Sequence, residues 1–75
     1  MKKLQPETWR ILNAMDVDAA MKNVAVLGFS PDTREIAEAG LHKVRLGHGR
    51  AFTRWQREAS REWLRLHGFK VRGIS

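Results

Sequence analysis

The chain has 75 residues and carries 14 Lys or Arg against 8 Asp or Glu, a formal net charge of +6. This length holds one small domain with a thin core, and the absence of cysteine excludes disulfides and thiolate metal sites. The longest apolar run, at residues 24–27, is far too short to cross a bilayer, and no apolar segment of a signal peptide follows the N-terminal lysines.

The first predicted element is a short amphipathic helix. Pro6 suits a first helical position, where its missing N–H is harmless. The helix is expected to end near Met15, and residues 1–5 before it are expected to fray. Its apolar residues recur at three-residue spacing, which is typical of a helix with one buried face, and they are Trp9, Leu12 and Met15.

A second helix is predicted to follow at once and to end at Gly28, a residue that suits a helix C-terminus. Asp16 or Asp18 can cap it, since both are favourable cap residues. The valines within 24–27 leave a short strand open as the alternative for that stretch. The apolar residues at helical spacing are Val17, Ala20, Met21, Val24 and Leu27.

A third helix is predicted from Ser30 as its cap, with Pro31 at its first position, to about Leu46. Within it, residues 34–41 resemble part of a helix-turn-helix, but the small residue and the glycine are three positions apart where the motif has four. We therefore expect Gly40 to mark a close helix contact. The segment Gly-His-Gly at 47–49 predicts a break after this helix.

The last helix is predicted over about residues 49–67 and is expected to be the longest. His67 and Gly68 give it a normal stop, and residues 72–75 are expected to fray. Five residues, which we call the apolar stripe, lie at helical spacing and are predicted to form the core: Phe52, Trp55, Ala59, Trp63 and Leu66. The expected fold is all-α, a single domain over residues 1–75 built as a small bundle of three or four short helices.

Five arginines of the last helix lie four, three, four and four positions apart, on the side opposite the apolar stripe. We call them the arginine row: Arg50, Arg54, Arg57, Arg61 and Arg65. The planar guanidinium donates two parallel hydrogen bonds to phosphate and keeps its charge. The alternative is a solvated face, because Glu58 and Glu62 stand within pairing distance along the helix.

Charge is unevenly distributed along the chain. Residues 1–41 carry five basic and six acidic side chains, a net of −1, and residues 42–75 carry nine basic and two acidic ones, a net of +7. A basic half indicates a partner that is acidic. The candidate binding residues are therefore the arginine row together with Lys43 and Arg45, with Lys70 and Arg72 as further phosphate contacts.

The sequence offers no signal for catalysis or cofactor binding. His42 and His48 lie six positions apart across a glycine break, and no carboxylate pair completes a metal set. Ser30, Ser60 and Thr53 have no histidine-and-carboxylate arrangement visible in the sequence. We expect neither an enzyme nor a metal or cofactor site.

Two functions stay open. The first is a cytoplasmic DNA-binding protein, such as a regulator of the small basic type that phages and mobile elements encode, which contacts phosphates through the arginine row. The second is an inhibitor or adaptor that docks on an acidic surface of a larger protein, anchored by an exposed aromatic such as Trp9 or Phe29. A homodimer is open in both cases, and no membrane partner is expected.

Overall fold

A computed structural model describes residues 4–69 and confirms the all-α fold class. Four α-helices and two short 3₁₀ turns follow one another in this part of the chain, with no strand among them. The helices are α1 (Pro6–Ala14), α2 (Val17–Lys22), α3 (Arg34–Gly47) and α4 (Arg54–Leu66), and the 3₁₀ turns are Val24–Val26 and Gly49–Ala51. The stretch that the sequence left open between helix and strand is therefore a 3₁₀ turn.

The last helix begins later than the sequence predicts. Residues 49–51 form a separate 3₁₀ turn, and α4 begins at Arg54. Thr53 ends the extended connection with a capping box, in which its hydroxyl accepts from Gln56 N at 3.1 Å and Gln56 Oε1 accepts from Thr53 N at 2.9 Å. As a result α3, with 14 residues, is the longest helix and exceeds α4 by one residue.

We expect the Thr53→Ala variant to lose about 1 kcal/mol of unfolding free energy, because the first turn of α4 loses its side-chain acceptor. Urea unfolding followed by circular dichroism at 222 nm measures this loss. The Thr53→Ser variant keeps the hydroxyl and should stay within about 0.5 kcal/mol of the wild type. Equal losses in the two variants would contradict the capping role.

Of the caps predicted for α2 and α3, the first is confirmed and the second is wrong. Asp16 caps α2, since its Oδ1 accepts from Ala19 N at 3.1 Å. Ser30 does not cap α3. Thr33 does, because its extended backbone lets Oγ1 accept from Ile36 N at 3.1 Å, and the helix begins at Arg34.

Helix α3 runs without interruption through Gly40, so residues 34–41 contain no helix-turn-helix break. A Cβ at Gly40 would lie 3.0 Å from Phe29 Cζ and 3.1 Å from Leu27 Cδ2. The glycine therefore permits a close contact, as predicted, but its neighbour is the segment after the first 3₁₀ turn and not another helix. Gly28 has a φ of +81°, which glycine adopts without strain and which turns the chain after that 3₁₀ turn.

Helix α3 lies at the centre of the molecule and contacts each of the other three helices. Two apolar clusters flank it. The larger one joins α1, α2 and α3 and consists of Ile11, Leu12, Val17, Ala20, Val26, Leu27, Ala37, Leu41 and Phe52. The smaller one joins α3 and α4 and consists of Ala39, Leu46 and Leu64.

The apolar stripe is not the core of α4, and this prediction was wrong. Trp55 is 82% exposed and Leu66 is 66% exposed, whereas Ser60 and Leu64 are fully buried. At about 100° per residue, these two buried residues lie on an edge of the helix between the apolar stripe and the arginine row. The helix packs by this edge, so both of the predicted faces lie on its flanks. Of the apolar stripe, Phe52 is buried and Trp63 half-buried.

Candidate functional site

Arg45 was predicted to face a partner, but the structure buries it with 5% of its surface exposed. Its Nη2 donates to Leu12 O at 2.7 Å and to Asn13 O at 3.2 Å, at the end of α1. Its Nη1 donates to Ser60 Oγ at 3.2 Å and to Gln56 O at 3.4 Å, on α4. The side chain thus joins three helices through its fork of donors, and it is not available to a ligand.

Burial lowers the pKa of Arg45 because desolvation penalises the charged form. Its guanidinium carbon lies 5.6 Å from the centre of the Phe52 ring, so one face of the cation meets an aromatic surface. The hydrogen bonds to the free carbonyls of α1 offset part of the cost of burying the charge. Arg45 is therefore a residue that orients α4 toward α3.

The same edge of α4 contacts a buried histidine. His42 Nδ1 lies 2.8 Å from Ser60 Oγ, and His42 Nε2 lies 3.8 Å from Glu38 Oε2. A neutral imidazole with its proton on Nε2, facing the carboxylate, lets the Ser60 hydroxyl donate to Nδ1 while Arg45 donates to the same oxygen. This grouping could not be predicted from the sequence, because only the four-residue spacing of Glu38 and His42 is visible along the chain.

A carboxylate, a histidine and a serine in this order resemble the catalytic groups of serine hydrolases. Ser60 is 0% exposed, however, and its oxygen is already engaged by Arg45 and His42. A nucleophile has to reach its substrate, and this hydroxyl lies inside the interface between α3 and α4. The geometry assigns the three residues to packing and orientation.

Burial lowers the pKa of His42 to about 4, with the positive charges of Arg45 and His67 acting in the same direction. The ring stacks on Trp63 with centroids 4.7 Å apart. Trp63 stacks in turn on His67 at 3.9 Å and on Phe69 at 5.9 Å. This aromatic group occupies the space between α3 and the flank of α4 that carries the apolar stripe.

The arginine row lies on the opposite flank of α4. A shallow depression of about 180 Å³ is lined there by Arg54, Arg57, Glu58 and Arg61. The stem of Arg57 covers the preceding 3₁₀ turn, since a Cβ at Gly49 would lie 3.4 Å from its Cδ. Arg50 follows Gly49 in that turn and is exposed. The structure thus brings Arg54, Arg57 and Arg61 together around the depression.

Glutamates of α4 neutralise part of this surface. Glu58 Oε1 accepts from Arg54 Nε at 3.0 Å, and Glu62 forms an ion pair with Arg65, three positions on. The hydrogen bond to Arg65 lowers the pKa of Glu62. Within residues 4–69, Arg50 and Arg57 form no ion pair with an acidic side chain. The row is therefore neither a fully paired surface nor one of isolated charges.

Lys43 does not join the arginine row. Its Nζ lies 5.6 Å from the centre of the Phe69 ring, within the aromatic group on the other flank of α4. Lys70 and Arg72, also predicted to contact phosphates, lie outside the described residues. The candidate surface consequently reduces to Arg54, Arg57 and Arg61 on α4, with Arg65 at its end and Arg50 exposed in the turn before the helix.

Between residues 4 and 69 no group of three or more His, Cys, Asp or Glu side chains is arranged to hold a metal ion. Nor does any helix of that part have the length and apolar character needed to cross a bilayer. Comparison with known proteins finds no matching family model, no matching curated protein and no matching solved structure. The function has to be argued from the site.

Proposed function

We propose that the protein binds the phosphate backbone of double-stranded DNA through the arginine row. The supporting observation is the position of three arginines, Arg54, Arg57 and Arg61, on one flank of α4 around a shallow depression, with Arg50 exposed in the turn before that helix. DNA carries one negative charge per about 1.7 Å of its axis, so a line of guanidinium groups can contact several phosphates at once.

The dimensions of α4 fit this ligand. Arg54 and Arg61 are seven positions apart, which corresponds to about 10 Å along a helix. A major groove about 12 Å wide admits a helix, and arginines on its flank then meet the phosphates of the groove wall. The side chain of Arg57 packs against the 3₁₀ turn that precedes α4, and this contact limits its conformational freedom.

The test is fluorescence anisotropy of a labelled 20-base-pair duplex at about 50 and 200 mM salt. The variant replaces Arg54, Arg57 and Arg61 by glutamine, which keeps a polar side chain at each position, including the half-buried Arg57 and Arg61, while removing three charges. We expect the dissociation constant at 50 mM salt to rise about 100-fold and the salt slope to fall by about 2 to 3, since each phosphate contact contributes about 0.9 to the slope.

A matched control replaces Arg10, Lys22 and Arg34 by glutamine, so that net charge falls equally while the arginine row stays intact. These three residues lie in the first half of the chain, where Arg10 pairs with Glu7 and Arg34 pairs with Asp18. The control should bind within a few-fold of the wild type. No binding by the wild type at 50 mM salt, or equal losses in both triple variants, would overturn the proposal.

Docking on an acidic protein is the second candidate, and exposed aromatic surface favours it. Trp9 is 44% exposed, with its Nε1 donating to Ala51 O at 3.4 Å, and Phe29 is 43% exposed. A partially exposed aromatic ring near arginines is the composition of interface hot spots. One stoichiometric protein captured from nuclease-treated extract, together with no duplex binding, would favour this function over the first.

A further inference from the structure

The outward side of α4 carries an apolar surface that nothing in the described part of the chain covers. Trp55 is 82% exposed and Leu66 66% exposed, and Ala59 between them is exposed as well. We call these three residues the outer stripe. With Glu62 they stand four, three and four positions apart, which is the spacing of the seam between two coiled helices.

The outer stripe is complementary to itself when two copies run antiparallel. Trp55 then meets the partner's Leu66, and Ala59 meets the partner's Glu62, each contact occurring twice by symmetry. The large Trp55 ring thus lies against a smaller leucine, and the methyl group of Ala59 lies against a longer glutamate side chain. At the middle of the pair the small Ala59 leaves room for the side chain of the partner's Glu62.

Charge selects the antiparallel direction. Glu58 and Arg65 border the outer stripe on the same side, and the antiparallel register places Glu58 beside the partner's Arg65 at both ends of the pair. Within one copy Arg65 already pairs with Glu62, so the guanidinium would bridge two carboxylates. A parallel register would instead bring Glu62 against the partner's Glu62 and leave the two Trp55 rings at the same level.

We propose that this chain forms a homodimer through an antiparallel pairing of α4 with α4 of a second copy. The 13 residues of α4 give a contact about 20 Å long. One such helix pair buries less surface than the roughly 800 Å² per partner of a typical stable interface. The dimer is therefore of micromolar affinity. The inference does not rest on the DNA proposal, since Trp55, Ala59 and Leu66 lie outside the depression lined by Arg54, Arg57 and Arg61, and the two surfaces share only Glu58 and Arg65 at their border.

Sedimentation equilibrium of the full chain from about 5 to 500 µM tests the proposal. The wild type should dimerise within this range, and the Trp55→Lys and Leu66→Lys variants should weaken dimerisation about 100-fold. Both positions are exposed, so circular dichroism should remain unchanged. The matched control is Met21→Lys, which adds the same charge at a residue of α2 that is 37% exposed, and it should dimerise as the wild type does.

Charge exchange tests the direction of the helices. The Glu58→Arg variant should weaken the dimer about tenfold, and the double variant Glu58→Arg with Arg65→Glu should regain most of that loss. A wild type that is monomeric at 500 µM would overturn the homodimer. A Trp55→Lys variant that dimerises normally would overturn this interface, and a double variant no better than Glu58→Arg would overturn the antiparallel direction.

Discussion

The Arg45→Met variant should lose about 3 kcal/mol of unfolding free energy, a large share of the stability of so small a domain. Methionine fills much of the volume of the arginine stem but donates no hydrogen bond. The carbonyls of Leu12 and Asn13 at the end of α1 would lose their donor, and Ser60 would lose one of its two partners. Buried acceptors without partners are costly, which outweighs the relief of removing a desolvated charge.

Urea unfolding at pH 7 measures the loss. Arg50→Met is the control, because Arg50 is exposed in the 3₁₀ turn and its replacement should change the unfolding free energy by less than about 0.5 kcal/mol. If Arg45→Met were as stable as Arg50→Met, the network around Arg45 would have no part in holding α4 in place.

Stability should also fall as the pH is lowered through the acid range, because His42 is held neutral in the folded protein. Its pKa falls from 6.5 to about 4, so the unfolded chain binds a proton on this ring at a higher pH than the folded chain does. The full contribution is present above pH 6.5, declines between 6.5 and 4, and is lost below 4. At 1.36 kcal/mol per pKa unit the contribution is about 3 kcal/mol.

The measurement is urea unfolding at half-unit steps from pH 7.5 to 4. The His42→Gln variant removes the titrating ring and should show a flatter dependence over this window, although its stability at pH 7 is lower. The His48→Gln variant keeps the buried imidazole and should follow the wild-type curve. Identical slopes for the wild type and His42→Gln between pH 6.5 and 4.5 would contradict the assignment.

Local signals in the sequence predicted the helices well. The cap at Asp16 and the stop at Gly68 depend on contacts within a few residues, and the structure contains both. The second helix was predicted to end at Gly28, but α2 ends at Lys22 and a separate 3₁₀ turn follows it. The predicted starts of α3 and α4 differ by a few residues from the observed ones. Thr33 and Thr53 compete with earlier cap or turn residues for the same role, and hydrogen bonds that depend on the connecting backbone decide between them.

The orientation of α4 could not be predicted from hydrophobicity. The apolar stripe gives this helix a strongly one-sided pattern, yet its side toward α3 is set by Ser60 and Leu64. Serine is selected there because Arg45 and His42 on α3 bring buried polar groups that need a partner. A tertiary hydrogen-bond network therefore overrides the hydrophobic pattern.

The candidate site was predicted in part for the same reason. Arg54, Arg57 and Arg61 share a flank because helical spacing alone brings them together, whereas Arg50 lies in a separate 3₁₀ turn that the sequence did not predict. Arg45 is withdrawn from the surface by carbonyls of α1 that are more than 30 positions away in sequence. No pattern local to α3 indicates that this arginine is buried.

Edge-on packing of α4 separates stability from surface chemistry along that helix. The residues buried at that edge, Ser60 and Leu64, contribute nothing to the outer surface of the helix, while the exposed Trp55 and Leu66 contribute little to holding it. Substitutions at such exposed positions can accumulate without unfolding the domain. The fold is accordingly a scaffold on which one helix can acquire new ligands on two sides independently.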